Sequence, residues 1–211
     1  MPEQCLICYG TGKVFNSERV WNYCDCPLGK VLQKQTWLRA SGVPVERQNE
    51  TLDSFKALPG TESALLAASE VVNGTLSWLL IYGAPGNGKS HLGHGIVLAS
   101  LEAGHRARVV NALILLSELR SISGTPELTH RLEALARIPL LVIDDFMWAT
   151  DLEARWLEEI VQRRYLHKQA LVALTNQDIK ALPGPVISRF HELGKVVLNR
   201  GGDYRRKSGY G

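Results

Sequence analysis

From about Thr61 onward the chain alternates short apolar runs, bounded by glycine or polar residues, with longer stretches of helical periodicity. The apolar runs predict strands over Ser77–Tyr82, Ala107–Val110, Leu140–Ile143, Ala170–Leu174 and Val196–Leu198. Between them the periodicity predicts helices over Glu62–Val72, Lys89–Ala103, Leu113–Ser121, Glu127–Ala136, Leu152–His167 and Val186–Glu192. Gly104 ends the second of these, and Ser123-Gly124-Thr125-Pro126 separates the third from the fourth. Strands alternating with helices imply a parallel sheet covered on both faces, an α/β fold. Upstream the pattern changes. Residues 1–27 read as a loop-rich module, and residues 28–60 as a connector with a basic helix from Leu28 to about Ala40. Residues 61–211 then form the core domain.

Composition narrows the class. The 211 residues are 45% hydrophobic and 21% charged, a globular balance that can bury a core without disulfides. The net charge of +3 is too small to mark a nucleic-acid binder. The surplus lies near the C-terminus, in Lys195, Arg200, Arg205, Arg206 and Lys207 against Asp203. No run approaches the roughly 20 apolar residues that span a bilayer, and no basic-then-apolar leader opens the chain. The expectation is a cytoplasmic protein with no membrane partner. All four cysteines fall in the first 26 residues, unlike the spread of a secreted disulfide scaffold.

Gly83-Ala84-Pro85-Gly86-Asn87-Gly88-Lys89-Ser90 fits G-x-x-x-x-G-K-[ST] between a predicted strand and a predicted helix. Glycines let such a loop turn successive N–H groups onto phosphate oxygens, and the helix N-terminus adds positive potential. Lys89 is placed to reach the β- and γ-phosphates and Ser90 to ligate magnesium. His91, next in the chain, joins the nucleotide-binding candidates. Asp144 and Asp145 follow an apolar run, at the strand edge where open α/β sheets bind ligands. Asp144 is the candidate to hold magnesium, and Asp145 to orient and deprotonate the attacking water. The distance from Lys89 to Asp144 leaves room for an intervening strand, and Ala170–Leu174 is expected to fill it. It would bring Thr175 and Asn176 toward the γ-phosphate. Thr175-Asn176-Gln177-Asp178 lacks the lysine and spacing of an Asn-Lys-x-Asp guanine site, so ATP is expected rather than GTP.

In this order and spacing the motifs resemble AAA+ P-loop NTPases of the ASCE group. The resemblance is specifically to the DnaC/DnaI-type replicative helicase loaders and the IstB-type transposition ATPases. It covers nearly the whole chain: Thr51-Leu52-Asp53-Ser54-Phe55, the phosphate loop, Leu-Val-Ile-Asp-Asp as Walker B, and Leu-Thr-Asn176 as sensor 1. It continues through Ile187-Ser188-Arg189-Phe190 and Gly202-Asp203-Tyr204-Arg205. It implies a five-stranded sheet with little or no helical lid. It implies that Asn176 assists catalysis and that Arg189 is an arginine finger acting in trans, hence self-association. Arg205 would be a sensor 2 arginine reaching the γ-phosphate in cis. It further implies a replicative DNA helicase and single-stranded DNA as partners, with a transposase partner or an ATP-switched adaptor as alternatives. Asp145 stands where many AAA+ proteins have glutamate, which draws the base back from the water and favours slow turnover.

Cys5-x-x-Cys8 and Cys24-x-Cys26 resemble the zinc-bearing N-terminus of loaders from this group. Four thiolates without histidine suit tetrahedral zinc; an iron–sulfur cluster or unligated thiols are the alternatives. Such a module would dock onto the helicase, contact DNA through Tyr9, Lys13, Phe15, Arg19, Trp21 and Tyr23, or serve structure alone. Arg120, His130, Arg131 and Arg137 lie in a helical insertion, Leu116–Ile138, that faces single-stranded DNA in the resembled proteins. A solvated face is the alternative. His91 and His94 sit one turn apart and suit packing better than a metal. Trp148 and Trp156 read as core or partner-facing.

Overall fold

The structure, a computed structural model, describes residues 5–17 and 20–204. An antiparallel hairpin opens it, β1 (Lys13–Phe15) and β2 (Trp21–Tyr23), with Phe15 opposite Trp21. Three-residue strands are too short to register as an alternating pattern, so this hairpin lies hidden within the stretch that reads as loop. Helix α1 (Pro27–Ala40) follows, its first turn capped by the Cys26 side chain. The core then runs α2 (Glu62–Val72), β3 (Trp78–Tyr82), α3 (Lys89–Glu102), β4 (Ala107–Asn111), α4 (Ala112–Ser121) and α5 (Pro126–Ala136). It ends with β5 (Leu140–Asp144), α6 (Asp151–Leu166), β6 (Ala170–Thr175), α7 (Gly184–Leu193) and β7 (Gly194–Leu198).

The five core strands form one parallel sheet in the order β4-β5-β6-β3-β7. Ala170–Thr175 takes the place between the phosphate-loop strand and the aspartate strand, as the spacing predicts. Strand side chains alternate between two cores. Trp78, Leu80, Leu141, Ile143, Leu171 and Ala173 face α4 to α7. Leu79, Ile81, Leu140, Val142, Val172 and Leu174 face α2, α3 and the connector. Trp156 is buried in the first core and Trp148 packs at its margin. The connector lies against the core domain. Val43 and Phe55 enter the second core, and Val109 N–H donates to Ser41 O at 2.7 Å. Among the described residues no helix is long and apolar enough to cross a membrane.

Arg164 on α6 is fully buried beneath the first core. Its guanidinium donates to Leu135 O at 2.6 Å, Ile138 O at 2.8 Å and also Ala170 O, tying the end of α5 to the starts of β5 and β6. Burial draws its pKa down to about 9. Arg164→Met keeps the volume but leaves those carbonyls without donors, so about 3 kcal/mol of stability is lost. The urea unfolding midpoint measures it, and an unchanged midpoint refutes the tie.

Candidate functional site

The phosphate loop leaves β3 at the C-terminal edge of the sheet and enters α3 through Gly88. Gly88 has φ 86, and a side chain there would meet the Phe55 ring, so glycine is required. The Lys89 ammonium folds into the loop, donating to Gly83 O and Ala84 O at 2.8 Å and to Asn87 Oδ1 at 2.9 Å. Burial pushes Lys89 down to about 8, against the pull of Asp144 and Asp145. Ser90 is exposed at the first turn of α3 and hydrogen-bonds Asp144. Burial raises Asp144 above the usual carboxylate range, partly offset by that bond. A phosphate against Lys89 and a divalent cation against Asp144 and Ser90 would each restore the charged form. The donor set therefore fits both groups.

Asp145 adopts φ 51, a left-handed backbone uncommon outside glycine and typical of functional turns. Both carboxylate oxygens accept from amides: Oδ2 from Asn111 Nδ2 at 2.9 Å and Oδ1 from Asn176 Nδ2 at 3.3 Å. Asn111 was not legible as a site residue. Its visible role is the cap of α4, where its Oδ1 accepts from Leu113 N and Ile114 N. Thr175 differs from expectation: it is fully buried at the end of β6, where its hydroxyl accepts from Gln177 N at 3.1 Å. Asn176 alone of that pair lines the cleft.

The cleft has a volume of about 440 Å³ and its far wall comes from outside the phosphate loop and the aspartate strand. Arg47, Ser54, Phe55 and Lys56 of the connector, with Tyr204, complete it. Phe55 packs edge-on against His91 with ring centroids 5.2 Å apart and lies 5.9 Å from the Tyr204 ring. His91 lines the cleft, and its Nε2 lies 2.9 Å from Thr51 O and 3.2 Å from Ser54 Oγ. His94 Nδ1 lies 2.6 Å from Glu50 Oε2. The two histidines thus fasten the connector to α3 and do not form a metal pair. The signal for this wall was the Thr51–Phe55 run, to which the sequence attaches no chemistry.

Arg189 sits on α7 outside the cleft, donating to Glu192 at 2.8 Å and lying 3.7 Å over the Tyr165 ring. Arg205, like Arg19, lies outside the described residues. In the insertion, Arg120 pairs with Glu153, Arg131 with Glu118 and Arg137 with Glu133, so these guanidinium groups are partly neutralised by their own fold. His130 is exposed.

At the N-terminus the four cysteine sulfurs lie within 4.8 Å of one another. Cys5 Sγ is 3.8 Å from Cys24 Sγ, and Cys8 Sγ is 3.6 Å from Cys26 Sγ. Tetrahedral zinc with bonds of about 2.3 Å would set sulfurs about 3.8 Å apart. Gly12 N–H donates to Cys8 Sγ at 3.3 Å and Gly29 N–H to Cys26 Sγ at 3.4 Å, as thiolate ligands require. The set fits a metal ion of zinc's size and softness.

The IstB-like ATP binding protein family matches residues 32–182. A replicative helicase loader DnaC of Buchnera aphidicola is 28% identical over 182 residues, covering 81% of this chain and 70% of that protein. A putative insertion sequence ATP-binding protein of Sinorhizobium fredii is 29% identical over 153 residues, covering 66% of this chain and 50% of that one. The chain thus spans only half the length of the second relative. Among solved structures, the DnaC helicase loader superposes with a TM-score of 0.66 at 22% identity, covering 74% of this chain and all of that one, a likeness of fold. The matched segment runs from α1 past β6 and includes the connector, the phosphate loop and both aspartates. The chain is therefore a member of the IstB-like ATP-binding protein family, a P-loop ATPase with the AAA+ fold.

Proposed function

We propose that this chain is an ATP-dependent accessory protein of DNA replication, a helicase loader that binds Mg-ATP and single-stranded DNA and delivers a replicative helicase. One observation carries the reading: a nucleotide cleft and a cysteine module with an apolar surface share one small chain. In that module Leu6 is 84% exposed, Trp21 65% and Phe15 54%, and this exposure supports a docking role. The DnaC relative, aligned over 81% of the chain, supports it. The three-part division at residues 27 and 60 goes with it: a docking module, a connector that walls the cleft, and an ATPase core.

In this reading the Gly83–Ser90 loop and Lys89 hold the phosphates, while Ser90 and Asp144 hold magnesium, which neutralises phosphate charge. Asp145 accepts the proton of the attacking water, and Asn176 orients it. Arg189 leaves Glu192 to reach ATP on a neighbouring copy, and Arg205 reaches the γ-phosphate of its own chain. Cys5, Cys8, Cys24 and Cys26 hold zinc, which folds a segment too small for a core of its own. The insertion sequence relative favours a second reading, an ATPase that partners a transposase. The left-handed Asp145 with both oxygens occupied favours a third, an adaptor that hydrolyses weakly.

Pull-downs with the replicative ring helicase and with a transposase, each with and without ATP, separate these readings. ATP-dependent capture of the helicase is expected, and capture of the transposase alone overturns the loader assignment. Lys89→Ala is expected to abolish binding of a fluorescent ATP analogue. Arg189→Ala is expected to bind it but not hydrolyse ATP, and mixing the two variants restores turnover. Absence of rescue refutes a finger acting in trans. Elemental analysis of the purified protein is expected to find about one zinc per chain, since four thiolates fill one tetrahedral site; iron, or no metal, refutes it.

A further inference from the structure

The phosphate loop is fastened from behind by a residue that no motif contains. We infer that Asn199, just beyond β7, is a positioning residue for ATP binding, acting through Asn87 to set where the Lys89 ammonium sits. The inference rests on the assignment of this loop to ATP phosphates.

Asn87 and Asn199 are both buried, at 0% and 1% exposure. They bond reciprocally: Asn87 Nδ2 donates to Asn199 O at 2.7 Å, and Asn199 Nδ2 donates to Asn87 O at 2.9 Å. Asn199 N–H in turn donates to Tyr82 O at 2.8 Å, which fixes it beside the last residue of β3. The approach is close enough that a side chain at Gly83 would lie 2.3 Å from Asn199 O. Farther along, Tyr204 N–H donates to Gly86 O at 3.0 Å, so the segment after β7 holds the loop at two points.

This geometry decides which end of the Asn87 amide faces the lysine. With Nδ2 committed to Asn199 O, Oδ1 is turned to Lys89 and accepts from its Nζ at 2.9 Å. An amide turned the other way would present a donor to an ammonium. Lys89 has three N–H bonds, and its three acceptors are Gly83 O, Ala84 O and Asn87 Oδ1. Arriving phosphates compete with the loop carbonyls, while Asn87, anchored in the fold, keeps the ammonium over the loop. Other charged or titratable groups face the same cleft. They are Asp144 at the end of β5, Asp145 after it, Arg47, Glu50 and Lys56 of the connector, His91 on α3, and Tyr204; His94 acts on Asp144 from the same helix, and Asp203 lies beside Gly86.

Two variants test the coupling, read by fluorescent ATP and AMP analogues on the full chain. Asn199→Ala frees Asn87 O from its buried donor, and ATP affinity is expected to fall about tenfold further than AMP affinity, because Lys89 serves the outer phosphates. Asn87→Asp keeps the shape but replaces the Nδ2 donor to Asn199 O with an oxygen, so the anchor is lost and a carboxylate stands against Lys89. Its ATP affinity is likewise expected to fall further than its AMP affinity, because the new anion competes with the outer phosphates for the Lys89 ammonium. Equal losses for ATP and AMP in either variant overturn the inference. Lys89→Ala in the same assay serves as the control: undiminished ATP binding there overturns the phosphate-loop assignment itself.

Discussion

The parallel register of β3 against β6 pairs Trp78 with Leu171 and Tyr82 with Thr175, and it sets the height at which every functional loop leaves the sheet. β5 pairs with β6 on the other side, Leu140 with Ala170 and Ile143 with Ala173. These pairings bring Lys89, Asp144, Asp145 and Asn176 to one edge although they come from three separate loops. The period of a strand is two residues, so a slip of one would turn Leu79 and Ile81 from one core into the other. The two buried faces therefore protect the geometry of the cleft as much as the stability of the fold.

Charge within the cleft follows from that placement. A buried ammonium and a half-buried carboxylate are both pushed toward neutrality, Lys89 downward and Asp144 upward. They share the site with Asp145, whose two oxygens are already occupied by amides. Such an arrangement gains most from a ligand carrying both signs of charge, as a nucleotide triphosphate with its cation does. The connector adds the apolar side. Phe55 packs against both His91 and Tyr204 along the cleft. The N-terminal module is organised on a different principle. Its sulfur cluster and three-residue strands leave large apolar side chains in water.

Much of this was legible from residue order. The five strands, the phosphate loop, the aspartate pair and the four cysteines each carry a local pattern, because their physics acts over a few neighbouring positions. The central place of the strand expected over Ala170–Leu174 also followed, from the spacing between Lys89 and Asp144. Other parts carried no local pattern. The hairpin at Lys13–Tyr23 is too short to show alternation. Thr175 looked able to reach a phosphate, but the strand runs one residue farther and buries it. Arg120, Arg131 and Arg137 read as a cationic face until Glu153, Glu118 and Glu133 were brought beside them.

By itself, then, the sequence determined the class of fold, the phosphate-loop pattern, the aspartate pair at the strand end and the cysteine set. These are choices of residue type at short spacing, and backbone geometry enforces them locally. Only the tertiary structure decided that Phe55 and Tyr204 wall the cleft, that Asn111 braces Asp145, and that Asn199 locks Asn87 across 112 positions of chain. Each of those contacts joins segments distant in sequence, and the closure of the sheet, not any run of residues, brings them within hydrogen-bonding or packing reach.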